Sequence, residues 1–250
     1  MPDQSLKQTD SANVLAGLRL NQALAYSGLC SRKAAARLIA AGQVLVNQQL
    51  QPHHYIVKTT DLIEVNGHPL AAPPERQYWL YHKPVGIDCN VNPNNPASIA
   101  QLLQQLPVRL FALGRLDKDS SGLLLLSNDG ALSQQLMHAG AGQHKHYLVE
   151  LDKVAQPAQL QQLRAGVQWQ LGPHSYSSLP CQVELQGPQQ LRITLTEGQN
   201  RQIRYMCRAV GLTVTALHRI GINQLQLSAA DPVGHCRPLT LAELALLKQN

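Results

Sequence analysis

An aspartate in a short charged loop is the residue best suited to chemistry in this sequence. Asp117 lies in the segment Gly114–Gly122, with Arg115 and Lys118 as its charged neighbours. Cationic neighbours favour the ionised carboxylate, which suits a nucleophile or a general base. From the loop alone, a surface turn with alternating charges explains the segment equally well, because charged turns are common.

A second carboxylate, Asp119, follows two residues later. Paired carboxylates on either side of a scissile bond are the machinery of glycoside hydrolases. At this spacing on a loop the side chains of Asp117 and Asp119 can diverge, and no aromatic residues that would stack on a sugar cluster nearby. A two-carboxylate glycosidase therefore stays open as an alternative, ranked last.

Arginines gather on one face of a predicted helix within residues 197–211. Its buried stripe follows the spacing i, i+3, i+4, i+7 and consists of Ile203, Met206, Cys207 and Val210. At about 100° per residue, the opposite face carries Arg201, Arg204 and Arg208. Such a face binds phosphates or pairs with a carboxylate. A solvated basic face is the ordinary explanation, and it suffices for Arg208.

The segment His144–Leu151 predicts a strand with Lys145, Tyr147 and Val149 on one face. By pattern alone, Tyr147 is an ordinary half-buried strand tyrosine. His144 and His146 share a strand face and would suit a metal ion. No third ligand lies near them in the sequence, so we expect no metal.

Strands and turns must position these residues. The unbroken apolar run Leu123–Leu126 directly follows the Asp117 loop and predicts a strand buried on both faces. A strand at Tyr78–Tyr81 and a hairpin around Gly187-Pro188 are also predicted. A loop anchored to a buried strand holds a charged side chain rigidly.

The N-terminal part of the chain has a different organisation. Residues 15–68 predict two short helices, Leu18–Ser27 and Arg32–Ala41, followed by short strands at Val44–Val46 and Asp61–Val65. We predict a disordered tail over residues 1–14, a proline-containing linker over residues 69–77 and a second domain over residues 78–250.

Composition narrows the class of protein. The chain has 250 residues and a net charge of +6, which suits a polyanionic partner without requiring one. Five scattered cysteines predict reduced thiols in a cytoplasmic protein. No apolar run approaches the ~18 residues of a membrane span. Walker, dinucleotide-binding and zinc-protease motifs are absent from the sequence, so we expect no cofactor.

The segments Gly114–Asp117 and Ser121–Gly130 together resemble the catalytic motif of RNA pseudouridine synthases of the RsuA/RluB/RluE/RluF group. The turn His82–Gly86, the strand motif Lys145–Val149 and the arginine motif Asn200–Arg204 extend the resemblance. Ala139-Gly140 and Met206-Cys207 are most similar to the RluF branch. This resemblance covers most of the chain.

The resemblance implies roles for individual residues. It makes Asp117 the catalytic residue, Tyr147 the residue that packs against the target base, and Arg115 a holder of the flipped-out nucleotide. A basic residue of the arginine motif pairs with the catalytic aspartate. By position we assign this role to Arg204, with Arg201 left open and expected to contact RNA. Lys83, in a turn that leads to the cleft, is also expected to contact RNA.

The N-terminal segments resemble the αL RNA-binding module, which a small-subunit ribosomal protein shares with tyrosyl-tRNA synthetases and this synthase group. The resemblance makes Arg32, Lys33 and Arg37 RNA contacts, although a solvated charged face explains such residues by pattern alone. Gln48 departs from it, because glycine usually follows the asparagine here. The module covers about residues 18 to 66.

The predicted fold is therefore α+β: a small αL RNA-binding domain and a larger catalytic domain with a mixed, mostly antiparallel sheet and flanking helices. The resemblance implies an isomerase, expected to be monomeric, that converts a uridine of large-subunit ribosomal RNA to pseudouridine with Asp117 and without cofactor. Small-subunit ribosomal RNA, a tRNA, or a non-catalytic role in ribosome assembly are the alternatives. Whether the carboxylate attacks the base or takes a ribose proton stays open.

Overall fold

The computed structural model describes residues 14–137 and 142–249. Of the predicted tail, all but Val14 lies outside this part, as does the Ala139-Gly140 motif. The chain divides into two compact units. The first extends to Arg76 and includes the segments Pro107–Arg109 and Asn128–Gly130; the second contains the remaining residues from Gln77 onward.

The first unit packs two helices on a small sheet. Helices α1 (Leu20–Tyr26) and α2 (Arg32–Ala40) precede four short antiparallel strands: β1 (Val44–Val46), β2 (Gln49–Leu50), β3 (Ile63–Val65) and β4 (His68–Pro69). Their order in the sheet is β2-β1-β3-β4. Ser31 accepts a hydrogen bond from the amide of Ala34 at 3.1 Å and so caps α2. Strand β4 occupies the start of the predicted linker.

The second unit is built on one large sheet. Its strands are β5 (Tyr78–Lys83), β6 (Phe111–Leu113), β7 (Ser121–Ser127), β8 (Lys145–Leu151), β11 (Gln182–Gly187), β12 (Gln190–Leu195), β13 (Val214–Ile222), β14 (Leu225–Gln226) and β15 (Cys236–Pro238). Strands β9 (Gln168–Leu171) and β10 (His174–Ser177) form a separate two-stranded sheet. The helices are α3 (Ala100–Leu103), α4 (Gly130–Met137), α5 (Pro157–Ala165), α6 (Gln202–Ala209) and α7 (Leu241–Lys248).

The order β11-β12-β8-β13-β7-β5-β15 runs across the large sheet. Every pairing along it is antiparallel except that of β13 with β7, which is parallel. The predicted mixed, mostly antiparallel sheet with flanking helices is thus confirmed. Within the described residues, no helix is both long and apolar enough to cross a bilayer.

Strand β7 joins the two halves of this sheet. Its four leucines, Leu123–Leu126, are almost fully buried, as the apolar run predicted. Gly122 lies at a φ of 113° opposite Arg219 of β13. A Cβ at Gly122 would lie 2.2 Å from the carbonyl oxygen of Arg219, so only glycine allows the two strands to approach this closely. The loop that carries Asp117 enters the sheet at this point.

Candidate active site

A cleft of about 410 Å³ opens in the second unit beside the Asp117 loop. The segments Gly114–Lys118 and Gly198–Ile203 line it, together with parts of β8 and β13. Its charged or polar lining side chains include Arg115, Asp117, Lys145, Tyr147, Arg201 and Arg219. The cleft therefore unites the loop, the strand motif and the arginine motif that are far apart in the sequence.

Backbone hydrogen bonds hold the Asp117 loop in place. The amide of Ser120 donates to the carbonyl of Asp117 at 3.1 Å, and the amide of Gly86 donates to the carbonyl of Lys118 at 2.7 Å. Leu116 is buried, and its amide donates to Cys89 Sγ at 3.4 Å. The side chain of Asp117 stays partly exposed, at 27 %. Its carboxylate is thus fixed at the cleft and still open to a substrate.

Arg201 is the cation nearest to the Asp117 carboxylate. Its Nη1 lies 3.9 Å from Asp117 Oδ2. The guanidinium also donates to both oxygens of Asp119, at 3.0 Å from Nη1 and 2.8 Å from Nη2. Arg201 itself caps the start of α6 in the left-handed conformation, with a φ of 51°. One arginine therefore touches both carboxylates of the loop.

The assignment of Arg204 as the partner of Asp117 was wrong. Arg204 Nη2 lies 3.3 Å from Asp119 Oδ2 and donates to the backbone carbonyl of Asp119 at 3.0 Å. Its Nη1 donates to the carbonyl of Val214 at 3.1 Å. Because α6 begins only at Gln202, the helical angle of 100° per residue does not apply to Arg201, which therefore reaches further toward the cleft.

Asp119 does not act as a second carboxylate of the cleft. It is absent from the cleft lining, and two arginines occupy its oxygens. The hydrogen bonds from Arg201 hold the pKa of the Asp119 carboxyl below its usual value. This arrangement argues against the paired-carboxylate glycosidase. Sequence reasoning treated Asp119 only as a possible catalyst and missed it as the anchor of Arg201.

Strand β8 supplies the next two side chains of the cleft. Tyr147 is half-buried, packs partly against the core below the sheet, and lines the cleft. Lys145 lies two residues earlier on the same face. Burial lowers the pKa of the Lys145 ammonium, and the nearby guanidinium of Arg219 lowers it further. The face predicted for Lys145, Tyr147 and Val149 is therefore the one that meets the cleft and the core.

Lys83 is buried, which argues against the RNA contact that we predicted for it. Its side chain is fully buried at the end of β5. Its Nζ donates to the backbone carbonyls of Pro84 at 2.9 Å and Ile87 at 2.8 Å. Burial lowers its pKa, against the opposing effect of Cys89 and of the loop aspartates. The lysine thus braces the turn beneath the cleft.

The remaining predicted cations lie on the surface. Arg115 is exposed at the cleft, and its Nη1 donates to Asn90 Oδ1 at 3.4 Å. In the first unit, Arg32, Lys33 and Arg37 are all exposed on α2. Such positions leave these side chains open to a polyanion.

Of the histidines His144 and His146, the second lies in β8, and both of its ring nitrogens have hydrogen-bond partners. Its Nδ1 lies 2.9 Å from Thr194 Oγ1, and its Nε2 lies 3.0 Å from the carbonyl oxygen of Asn223. Across the described ranges 14–137 and 142–249, no three His, Cys, Asp or Glu side chains are grouped to hold a metal ion. The five cysteines are free thiols.

Arg219 is a residue of the cleft that sequence reasoning missed. It lies within β13, whose sequence Val214–Ile222 is otherwise largely apolar, and only 3 % of it is exposed. An arginine inside a strand that otherwise reads as buried was the available signal.

Comparison with known proteins gives consistent results for both units. The model of the RNA pseudouridylate synthase family matches residues 77–209, and the model of the S4 domain matches residues 18–63. The dual-specificity RNA pseudouridine synthase RluF of Salmonella typhi is 38 % identical over 229 residues, covering 90 % of this chain and 77 % of the relative. RluF of Escherichia coli K12 is 37 % identical over 230 residues, with coverages of 91 % and 77 %.

A more distant relative and a solved structure extend the comparison. The ribosomal small subunit pseudouridine synthase A of Yersinia pestis is 31 % identical, covering 91 % of this chain and 97 % of the relative. A crystal structure described as a pseudouridylate synthase superposes with a TM-score of 0.67 at 28 % identity, covering 92 % of this chain and 99 % of that one.

Proposed function

The chain belongs to the RNA pseudouridylate synthase family, and on this premise we propose that it isomerises a uridine of large-subunit ribosomal RNA to pseudouridine with Asp117 as the catalytic residue. The family model covers residues 77–209, which include the whole Asp117 loop and the start of α6. The observation that carries the proposal is the fixed, partly exposed carboxylate of Asp117 beside Arg201 in the cleft.

The reaction moves the glycosidic bond of one nucleotide. The bond from C1′ to N1 of uracil breaks, the ring turns, and C1′ bonds to C5, which loses its proton. The carboxylate of Asp117 starts this either by adding to the substrate or by taking a ribose proton. In both routes an ionised carboxylate is required, and the guanidinium of Arg201 places a positive charge 3.9 Å from it.

The target nucleotide must leave the RNA stack to reach Asp117. Arg115, exposed at the cleft, is suited to hold the displaced strand through its phosphates. Tyr147 lines the cleft and presents an aromatic ring against which a flipped base packs. Arg201 serves Asp117 first, and its contact with RNA is secondary.

The first unit supplies affinity for the rest of the RNA. It matches the S4 domain over residues 18–63, and its exposed cations Arg32, Lys33 and Arg37 form one basic helix surface. Such cations bind phosphates and make affinity depend on salt. A monomer in the cytoplasm remains our expectation.

The relatives support the choice of RNA. Both RluF proteins are described as dual-specificity RNA pseudouridine synthases, whereas the Yersinia relative is a small-subunit enzyme. The higher identity to the RluF proteins favours large-subunit ribosomal RNA as the substrate, with a tRNA as a second substrate.

The direct test uses the purified chain and unmodified transcripts of large-subunit ribosomal RNA, small-subunit ribosomal RNA and tRNA. Pseudouridines are mapped after incubation, with Asp117→Asn as the matched control protein. We expect one or a few sites in the large-subunit RNA, absent with the control. Sites in the small-subunit RNA alone would overturn the choice of RNA, and no pseudouridine in any transcript would overturn the proposed activity.

A further inference from the structure

Arg219 is a buried cation with unused hydrogen-bond donors. It lies on β13 between Gly122 of β7 and Tyr147 of β8, which are its cross-strand partners. Only 3 % of the residue is exposed. Burying a guanidinium is costly unless its charge and donors are satisfied. The guanidinium of Arg219 therefore requires hydrogen-bond acceptors around it.

Only one nitrogen of the Arg219 guanidinium has a hydrogen-bond partner among the described residues. Nε of Arg219 donates to the carbonyl of Leu123 at 2.8 Å. Nη2 is buried and has no hydrogen-bond partner among residues 14–137 and 142–249. Within the described part of the chain, no carboxylate lies within ion-pair distance of the guanidinium. An arginine with one fixed donor and free terminal nitrogens is held rigidly, ready for an acceptor that the described residues do not supply.

The cleft shows what kind of acceptor this is. Arg219 lines it together with apolar side chains of the sheet and of α6, which are Leu195, Ile203, Leu217 and Ile222. Exposed cations at the same cleft are Arg115 and Lys118. The exposed cations suit the phosphates of the RNA, which stay in contact with water. The buried part of the cleft suits a flat, largely apolar ring with polar edges.

We propose that Arg219 determines specificity by donating a hydrogen bond from its terminal guanidinium nitrogens to a carbonyl oxygen, O2 or O4, of the target uracil. This inference rests on the proposed function, because it assumes that the flipped base enters the cleft. A guanidinium has donors and no acceptor. It therefore donates to a carbonyl oxygen of uracil, and a contact at O4 disfavours cytosine, which carries an amino group at C4.

The same contact favours the reaction. When the C1′–N1 bond breaks, its electron pair remains on the ring and is shared among N1, O2 and O4. If Asp117 takes a ribose proton, loss of the C2′ proton to its carboxylate balances the charge at C1′. If the carboxylate first adds to the ring, the electron pair of the C5–C6 double bond moves toward O4, where the same cation stabilises it. A fixed cation at a ring oxygen stabilises this charge where it develops. Lys145, which lies close enough to Arg219 for its pKa to be lowered by it, adds to the same field.

The test replaces one ring oxygen at a time. RNA carrying the mapped target is prepared with uridine, 2-thiouridine or 4-thiouridine at that position, each labelled with tritium at C5. Tritium release is measured in single turnovers with the wild-type chain, Arg219→Met and the control Arg208→Met, whose side chain is exposed on α6. Sulfur accepts hydrogen bonds weakly, so loss of a charge-assisted bond slows the wild type about tenfold.

We expect one of the two thio-substitutions to slow tritium release by the wild type and by Arg208→Met about tenfold. Arg219→Met is already slow with uridine, and the same substitution should slow it by less than about twofold more. An equal thio effect in Arg219→Met and the wild type would overturn the inference, as would the absence of a thio effect in the wild type. If Arg219→Met does not fold, Arg219→Lys takes its place under the same criteria. Wild-type turnover of the unsubstituted RNA tests the proposed function independently.

Discussion

Arg201 donates hydrogen bonds from both terminal nitrogens to the carboxylate of Asp119, at 3.0 and 2.8 Å. One of these nitrogens, Nη1, also lies 3.9 Å from Asp117 Oδ2. A bidentate pair fixes a guanidinium in direction as well as in distance. Asp119 therefore holds Arg201 beside the Asp117 carboxylate, and we propose that it is a positioning residue. It acts on the reaction through Arg201 and not by contact with the substrate.

Replacing Asp119 with Asn should slow turnover without weakening RNA binding. The neutral amide cannot hold Arg201 bidentately, so the guanidinium is no longer fixed beside Asp117. We expect kcat to fall about tenfold, a loss of about 1.4 kcal/mol in the transition state, with KM nearly unchanged. Asp119→Glu keeps the charge and should restore part of the rate. Equal rates for Asp119→Asn and the wild type would show that Arg201 needs no anchor.

Glycine at position 48 should stabilise the first unit. Asn47 and Gln48 form the turn between β1 and β2 with φ angles of 51° and 65°, a conformation that favours glycine at the second position. Gln48→Gly should therefore stabilise this hairpin by about 1 kcal/mol, slowing amide exchange in β1 about fivefold. The control Gln49→Gly, in the adjacent strand, should speed exchange. Faster amide exchange in Gln48→Gly than in the wild type would contradict this preference of the turn for glycine.

Removing the ammonium of Lys83 should affect stability and not RNA binding. Lys83→Met leaves the carbonyls of Pro84 and Ile87 without their donor, which costs about 2 kcal/mol of unfolding free energy. The salt dependence of RNA affinity should stay that of the wild type. In the comparison variant Lys33→Met, the slope of log affinity against log salt should decrease by about one. A reduced slope in Lys83→Met would show that Lys83 does contact RNA.

A partly buried ion-pair network near the C-terminus should make stability fall in acid. Arg237 bonds to Asp231 at 2.6 Å and to Glu243 at 2.7 Å, and its hydrogen bond lowers the pKa of Glu243 from 4.5 to about 2. A carboxyl with a lowered pKa in the folded state stabilises the fold fully above pH 4.5, and this contribution disappears as the pH falls toward 2.

Glu243→Gln should therefore lower the melting temperature at pH 7, and the difference from the wild type should shrink between pH 4.5 and pH 2. The exposed Glu184→Gln serves as the control and should melt like the wild type at every pH. A deficit of Glu243→Gln that does not depend on pH would contradict this role of the carboxylate.

Local patterns sufficed for several of the elements and for the Asp117 loop. Four leucines in succession predicted β7, and the charged segment before it placed Asp117 at the mouth of a buried strand. The Ser31 cap and the apolar stripe of α6 were also readable, because helix periodicity and capping depend on residues close in the sequence. The same holds for the α+β class.

Contacts between distant segments were not readable. Lys83 looked like a surface cation, because the carbonyls that bury it come from a backbone turn whose path no local pattern gives. The register of Arg201 and Arg204 failed because the helix begins one residue later than the pattern implied. Arg219 became a cleft residue only through the close pairing of β13 with β7 at Gly122.

The central claim is that the carboxylate of Asp117 performs the chemistry. Asp117→Asn keeps the size of the side chain and removes its charge and basicity. The decisive measurement is the yield of pseudouridine in the target RNA at saturating enzyme, with RNA affinity measured in parallel. We predict no detectable product from Asp117→Asn, affinity within about twofold of the wild type, and only a slower reaction from Asp119→Asn. Substantial product from Asp117→Asn, or equal loss from Asp119→Asn, would contradict the account.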